Sequence, residues 1–173
     1  MLPRDTYSGL RVMGRSLLII ATCVGLAAAA CAAVDNQPAP GAIAELDEAS
    51  FKCAVEPTLI RDCSYTACHG NAGFPLRVYS IGKLRVGDMT TLALRTAPLT
   101  DAEHHANYLS ARAFDYGGVA AEDNLILRKV LPVNDGGYEH KGGAIFTGLD
   151  DPRAVKLLNW LSGQSGLCNG GNL

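Results

Sequence analysis

The segment Arg61-Asp62-Cys63-Ser64-Tyr65-Thr66-Ala67-Cys68-His69-Gly70 sets two thiols and an imidazole in the order that a c-type haem requires. Thiols at Cys63 and Cys68 can add to the two vinyl groups of a porphyrin, and an imidazole directly after the second can turn back to ligate the iron. The common form of this pattern has two residues between the cysteines; this chain has four. Residues three apart share a helix face, whereas residues five apart advance about 500° and leave that face by roughly 140°. Haem attachment therefore predicts a non-helical loop across Ser64 to Ala67. Ser64 and Thr66 suit it, because their hydroxyls can satisfy local backbone groups.

A six-coordinate iron needs a ligand opposite His69. Beyond residue 31 the other histidines and methionines are His104, His105, His140 and Met89. His140 is the first choice, because it sits in Gly136-Gly137-Tyr138-Glu139-His140-Lys141-Gly142-Gly143. Glycines let backbone approach a flat cofactor closely. Met89, after the turn at Gly87-Asp88, comes second; a methionine there also serves as a core gap-filler. His104 and His105 fall near a helix start, where one should face solvent and the other pack or hydrogen-bond. The plain role for His140 itself is a loop histidine bonding a carbonyl. Tyr65, Phe74, Leu76, Tyr79 and Trp160 could wall a haem pocket or simply fill a core.

The cysteine count admits three chemistries. Setting aside Cys23 and Cys31, the body holds Cys53, Cys63, Cys68 and Cys168. Two disulfides among them could form in three pairings. Haem attachment at Cys63 and Cys68 leaves Cys53 to Cys168, a bridge that closes a long loop and contributes up to about 4–5 kcal/mol in the chain-entropy account. A zinc site would use Cys63, Cys68 and His69 with His140 or Cys53. Adjacent ligands such as Cys68 and His69 make an awkward bite for tetrahedral zinc.

The N-terminus has the layout of an export signal. Arg4, Arg11 and Arg15 precede an apolar run from Leu17 to Ala30, which falls short of the about 20 residues a membrane span needs. The run ends Leu26-Ala27-Ala28-Ala29-Ala30-Cys31, small residues before a cysteine, as in a bacterial lipobox. Residues 1–30 are thus expected to be a signal peptide and Cys31 an acylated anchor, with cleavage at an Ala-x-Ala site as the alternative. Residues 31–49, with Pro38, Pro40, Gly41 and several acids, read as a flexible tether. Residues 50–173 are long enough to bury one core. The expected location is the outer side of a bacterial membrane, periplasmic or at the cell surface, where free thiols do not persist.

With the leader removed, Arg4, Arg11, Arg15 and Asp5 go with it. That leaves 12 of the 15 basic and 16 of the 17 acidic residues, a net charge of −4. Nucleic-acid binding, which wants a clustered basic face, is not expected. No nucleophile–base constellation, phosphate loop or paired-carboxylate motif stands out, so an enzyme is not expected either.

The elements that must position these groups are mainly helical. Phe51 to Asp62 reads as a helix leading into the cysteines, with Pro57 limiting its regular part. Leu76 to Ile81 and Leu84 to Val86 alternate, which predicts a short β-hairpin through Gly82. Thr100-Asp101-Ala102-Glu103 is a capping box opening a helix to about Phe114. Leu125 to Leu131 forms a second short helix that ends before Pro132. Asp151, Pro152 and Gly163 bracket a final helix whose Ala154, Leu157, Leu158 and Leu161 make one apolar stripe.

Taken together, the chain resembles the cytochrome c-like lipoproteins of the myxobacterial and planctomycete type. The residues that carry the likeness are Cys63 to Gly70, His140 to Gly143 and Leu157 to Leu161. The resemblance implies a small helical cytochrome c-like domain with one covalent haem c, Cys63 and Cys68 as attachment points and His69 as proximal ligand. It also implies a distal ligand from the loop before the last helix and a first helix packed on the last one. The functional expectation is a membrane-tethered monohaem electron carrier with a redox protein as partner. The alternative is a disulfide-stapled lipoprotein, without cofactor, that binds or scaffolds. The four-residue spacer is the departure from the family's pattern.

Overall fold

The structure, a computed structural model, describes residues 45–87, 90–116 and 119–169. Cys23, Cys31 and Met89, and with them the signal peptide and the acylation site, lie outside the described residues. Helices and turns make up the described part, and no strand occurs among the described residues.

The first helical run opens at Asp47, whose carboxylate accepts from Ser50 N at 2.8 Å. α1 (Glu48–Ser50) passes without a break into a π-helical turn (Phe51–Val55), α2 (Glu56–Thr58) and a second π turn (Leu59–Cys63). The alternation has a cause and a consequence. Pro57 has no N–H and would press its ring on the carbonyl four residues back. The wide turn before it, closed by Glu56 N–H to Phe51 O, relieves that pressure. The consequence is register. A four-residue step drifts about 40° on an α-helix, and the wider π turns rotate less per residue and cancel the drift. Phe51, Val55, Leu59 and Cys63, spaced by four, therefore all stay buried.

α3 (Leu92–Thr96) is capped by Thr91 Oγ1. α4 (Asp101–Arg112) carries the expected capping box between Thr100 and Glu103. α5 (Leu125–Arg128) is capped by Asn124, whose Oδ1 accepts from Ile126 N at 3.0 Å. α6 (Pro152–Leu161) starts on Asp151 as the sequence indicates.

The first run packs on α6 through an aromatic cluster. The Phe51 and Trp160 rings are 5.1 Å apart, and Tyr108 of α4 meets Phe51 at 5.9 Å and Trp160 at 6.3 Å. The polar tips of this cluster bind main chain: Trp160 Nε1 donates to Asp47 O at 3.0 Å and Tyr108 OH to Leu46 O at 2.7 Å. Leu46 is 1% exposed. Packing thus reaches back into the end of the segment read as a tether, and the folded body starts before residue 50. The bridge Cys53–Cys168 ties the same two ends together with an S–S distance of 2.07 Å and a separation of 115 residues.

The predicted hairpin does not form as strands. Leu76 to Ser80 runs extended, and Ser80 N donates to Leu84 O at 3.0 Å around Gly82, whose φ is +73°. Each arm then pairs elsewhere. Tyr79 N donates to Asn107 Oδ1 at 2.6 Å, and Arg85 turns its guanidinium to Glu103 with bonds of 2.7 and 2.9 Å. Side-chain partners from α4 take the place of a ladder, and alternation alone could not reveal them.

Candidate functional site

Cys63 ends the second π turn, and the chain from Ser64 to His69 is not helical. Haem attachment at this cysteine spacing would need such a loop. Its turns close through Cys68 N to Tyr65 O at 2.8 Å and His69 N to Cys63 O at 3.1 Å. Ser64 donates its hydroxyl to Ile60 O and accepts from Lys83 Nζ at 2.8 Å. Gly70 makes the loop tight: a Cβ there would lie 2.0 Å from Ser64 O.

His69 is fixed by the extended segment beside it. Val78 N donates to His69 O at 2.8 Å, and His69 Nδ1 faces Leu76 O at 3.1 Å. A proton on Nδ1 donated to that carbonyl leaves Nε2 unprotonated, the form that ligates metal. Burial lowers the His69 pKa from its ordinary value, against the opposing pull of the Leu76 carbonyl.

His140 is delivered by the loop between α5 and α6. That loop is pinned to the end of α5 at several points. Tyr138 N donates to Arg128 O at 2.8 Å, Arg128 Nη1 to Gly136 O at 2.8 Å and Lys129 Nζ to Glu139 O at 2.9 Å. Ile145 N and Phe146 N both donate to Val130 O at 2.9 Å. Gly137 comes so close to Leu131 that a Cβ would sit 2.1 Å from its carbonyl oxygen. His140 Nδ1 then faces Gly143 O at 3.4 Å.

These two independently held imidazoles meet. Their planes are within 8° of parallel and their centroids are 6.0 Å apart. Both line one cavity of about 240 Å³ with Leu76, Phe114, Leu125, Ile126, Lys129 and Val130 among its other walls. The two histidines are the ring donors that could hold a metal at this cavity. The volume lies below the about 300–1,000 Å³ of sites that enclose a small molecule. Beside the imidazoles it has room for only part of a flat cofactor, with the rest at the surface.

The thiols are less available. Cys63 and Cys68 are free, Cys63 buried and Cys68 half-buried. Desolvation, reinforced by Asp62 and Cys68, pushes the Cys63 thiol up to about 12. Neither is among the residues that line the His69–His140 cavity.

Neither a family model, nor a curated protein, nor a solved structure matches this chain. The site has to be read from its own geometry.

The remaining candidates are placed as follows. His104 Nδ1 bonds buried Glu56 at 2.7 Å and His105 Nδ1 bonds exposed Glu48 at 2.9 Å, the structural roles expected of them. Trp160 is fully buried in the aromatic cluster, and Tyr65 is 56% exposed with Lys83 over its ring. Of the aromatics named from sequence, Phe74 approaches His69, at 6.1 Å edge-on. Leu76, also named from sequence, lines the cavity, and its other walls include Phe114, Leu125 and Ile126. No three His, Cys, Asp or Glu side chains gather as a metal-binding group among the described residues. No helix among them is long and apolar enough to cross a membrane.

Proposed function

We propose that this chain is a membrane-tethered, extracytoplasmic c-type cytochrome that holds one covalent haem and transfers electrons. The observation that carries this reading is the His69–His140 pair: two parallel rings 6.0 Å apart, each with Nδ1 on a main-chain carbonyl. Cys63 and Cys68 would be the attachment points, His69 the proximal ligand and His140 the distal one. A haem bound there supplies a one-electron iron couple. The chain contributes the rest. The Leu76 and Gly143 carbonyls hold the tautomers and raise ligand basicity. Phe114, Leu125, Ile126 and Val130 lower the local dielectric on one side of the imidazoles, which would favour the less charged state of a metal held there. A lipid at Cys31 would hold the body at a membrane surface, and a redox protein would be the partner.

The small cavity, about 240 Å³, favours one competing reading, a stapled lipoprotein module without cofactor. Production of the full chain with a haem-maturation system, followed by denaturation and a pyridine haemochrome spectrum, separates the two. A covalent haem c spectrum is expected; a colourless protein would contradict the proposal.

A further inference from the structure

A second cavity, of about 310 Å³, lies on another part of the surface, lined by Ile60, Ser80, Ile81, Lys83, Pro98, Leu99 and His104. None of these side chains is acidic. Three of them are polar, and each is held in a definite way. Ser80 is 1% exposed, yet its hydroxyl is buried and has no hydrogen-bond partner. Buried hydroxyls in native proteins are nearly always paired, so this one asks for an acceptor that the chain does not provide. His104 is oriented from behind. Its Nδ1 sits 2.7 Å from Glu56 Oε2, and Glu56 is fixed in turn by Asn107 Nδ2 at 2.7 Å. That leaves Nε2 on the side away from the carboxylate. Lys83 bonds Ser64 Oγ at 2.8 Å and lies 4.2 Å over the Tyr65 ring, which fixes its ammonium and leaves donor capacity to spare.

We propose that this cavity is a ligand site for a small aliphatic monocarboxylate. Its carboxylate would take the Ser80 hydroxyl and a Lys83 N–H. Its hydrocarbon part, a branched chain of about four or five carbons, would lie against Ile60, Ile81, Pro98 and Leu99 and fill a volume at the small end of the usual range. The site shares no lining residue with the His69–His140 cavity, so it stands whether or not haem is bound.

Isovalerate is the probe and isoamyl alcohol its uncharged counterpart, each titrated into the purified full chain and followed by calorimetry. Saturable binding of one isovalerate is expected, with a dissociation constant of about 1 mM or tighter. Isoamyl alcohol should bind at least about tenfold more weakly, since a lost charge-assisted bond is worth that much. Ser80→Ala and Lys83→Met should each weaken isovalerate about tenfold. Ile81→Trp, at a position 52% exposed and therefore safe for folding, should block entry with the melting temperature unchanged. Absence of saturable isovalerate binding overturns the proposal, as does equal binding of the alcohol or unchanged binding in Ile81→Trp.

Discussion

The imidazoles of His69 and His140 lie parallel with centroids 6.0 Å apart, although the two residues are 71 positions apart and come from loops built in unrelated ways. His69 is held by the segment ending at Val78, and His140 by the turns that follow α5. Each Nδ1 faces a main-chain carbonyl, Leu76 O at 3.1 Å and Gly143 O at 3.4 Å.

The glycines of the second loop discriminate ligation from folding. A Cβ on Gly142 would stand 2.8 Å from His140 Cε1, a side-chain ring that can swing away. Gly142→Ala should therefore leave the melting temperature nearly unchanged while weakening distal ligation, seen as a partial shift of the Soret band of haem-loaded protein toward the five-coordinate form. A Cβ on Gly137 meets the Leu131 backbone, which cannot yield. Gly137→Ala should cost more than about 2 kcal/mol by denaturant unfolding.

Glu103 controls the acid limb of stability. The Arg85 guanidinium, with help from the Thr100 and Val86 N–H groups, holds its carboxyl at about 2, against 4.5 for a free side chain. A lowered carboxylate contributes its stabilisation in full above the unfolded value, and loses it as pH falls from about 4.5 towards 2. The pair is buried, with side chains 7% and 2% exposed, so the contribution is about 3 kcal/mol. Glu103→Gln should be destabilised by about that much at pH 7, and the gap to wild type should narrow steadily below pH 4.5 in urea titrations.

The helical part of the fold is legible in the sequence because its signals are local. The Thr100–Glu103 box, the Asp151–Pro152 start and the stripe on α6 each lie within one or two turns, and all three stand in the structure. Non-local features are not readable in this way. The hairpin fails because Asn107 and Glu103, more than 15 residues on, take the groups that would have paired. The buried start at Leu46 depends on Tyr108 and Trp160, and the cavity walls depend on where α5 lands. The pairing of His140 with His69 follows only from the haem expectation, since nothing local to either residue brings the two rings to one cavity.

The bridge between Cys53 and Cys168 closes 115 residues. Cys168→Ser paired with Cys53→Ser should lower stability by about 2–5 kcal/mol, chiefly by freeing the unfolded chain. Chemical unfolding of the double variant against wild type checks this, with the aromatic cluster's near-UV signal retained in the folded baseline.

Thiol reactivity should separate the other two cysteines. Cys63 is buried with its thiol pushed up to about 12, while Cys68 is half-buried. In protein without haem, iodoacetamide at pH 8 should label Cys68 well before Cys63, and denaturation should equalise them. Peptide mapping after timed quenching reads both rates.

In the proposed function, the sulfurs of Cys63 and Cys68 are bonded to a tetrapyrrole. Mass spectrometry of the peptide spanning Cys63 to His69, taken from protein purified from its native host, tests that directly. The prediction is a haem adduct held by two thioethers. An unmodified peptide, or one with Cys63 and Cys68 joined to each other, would contradict it.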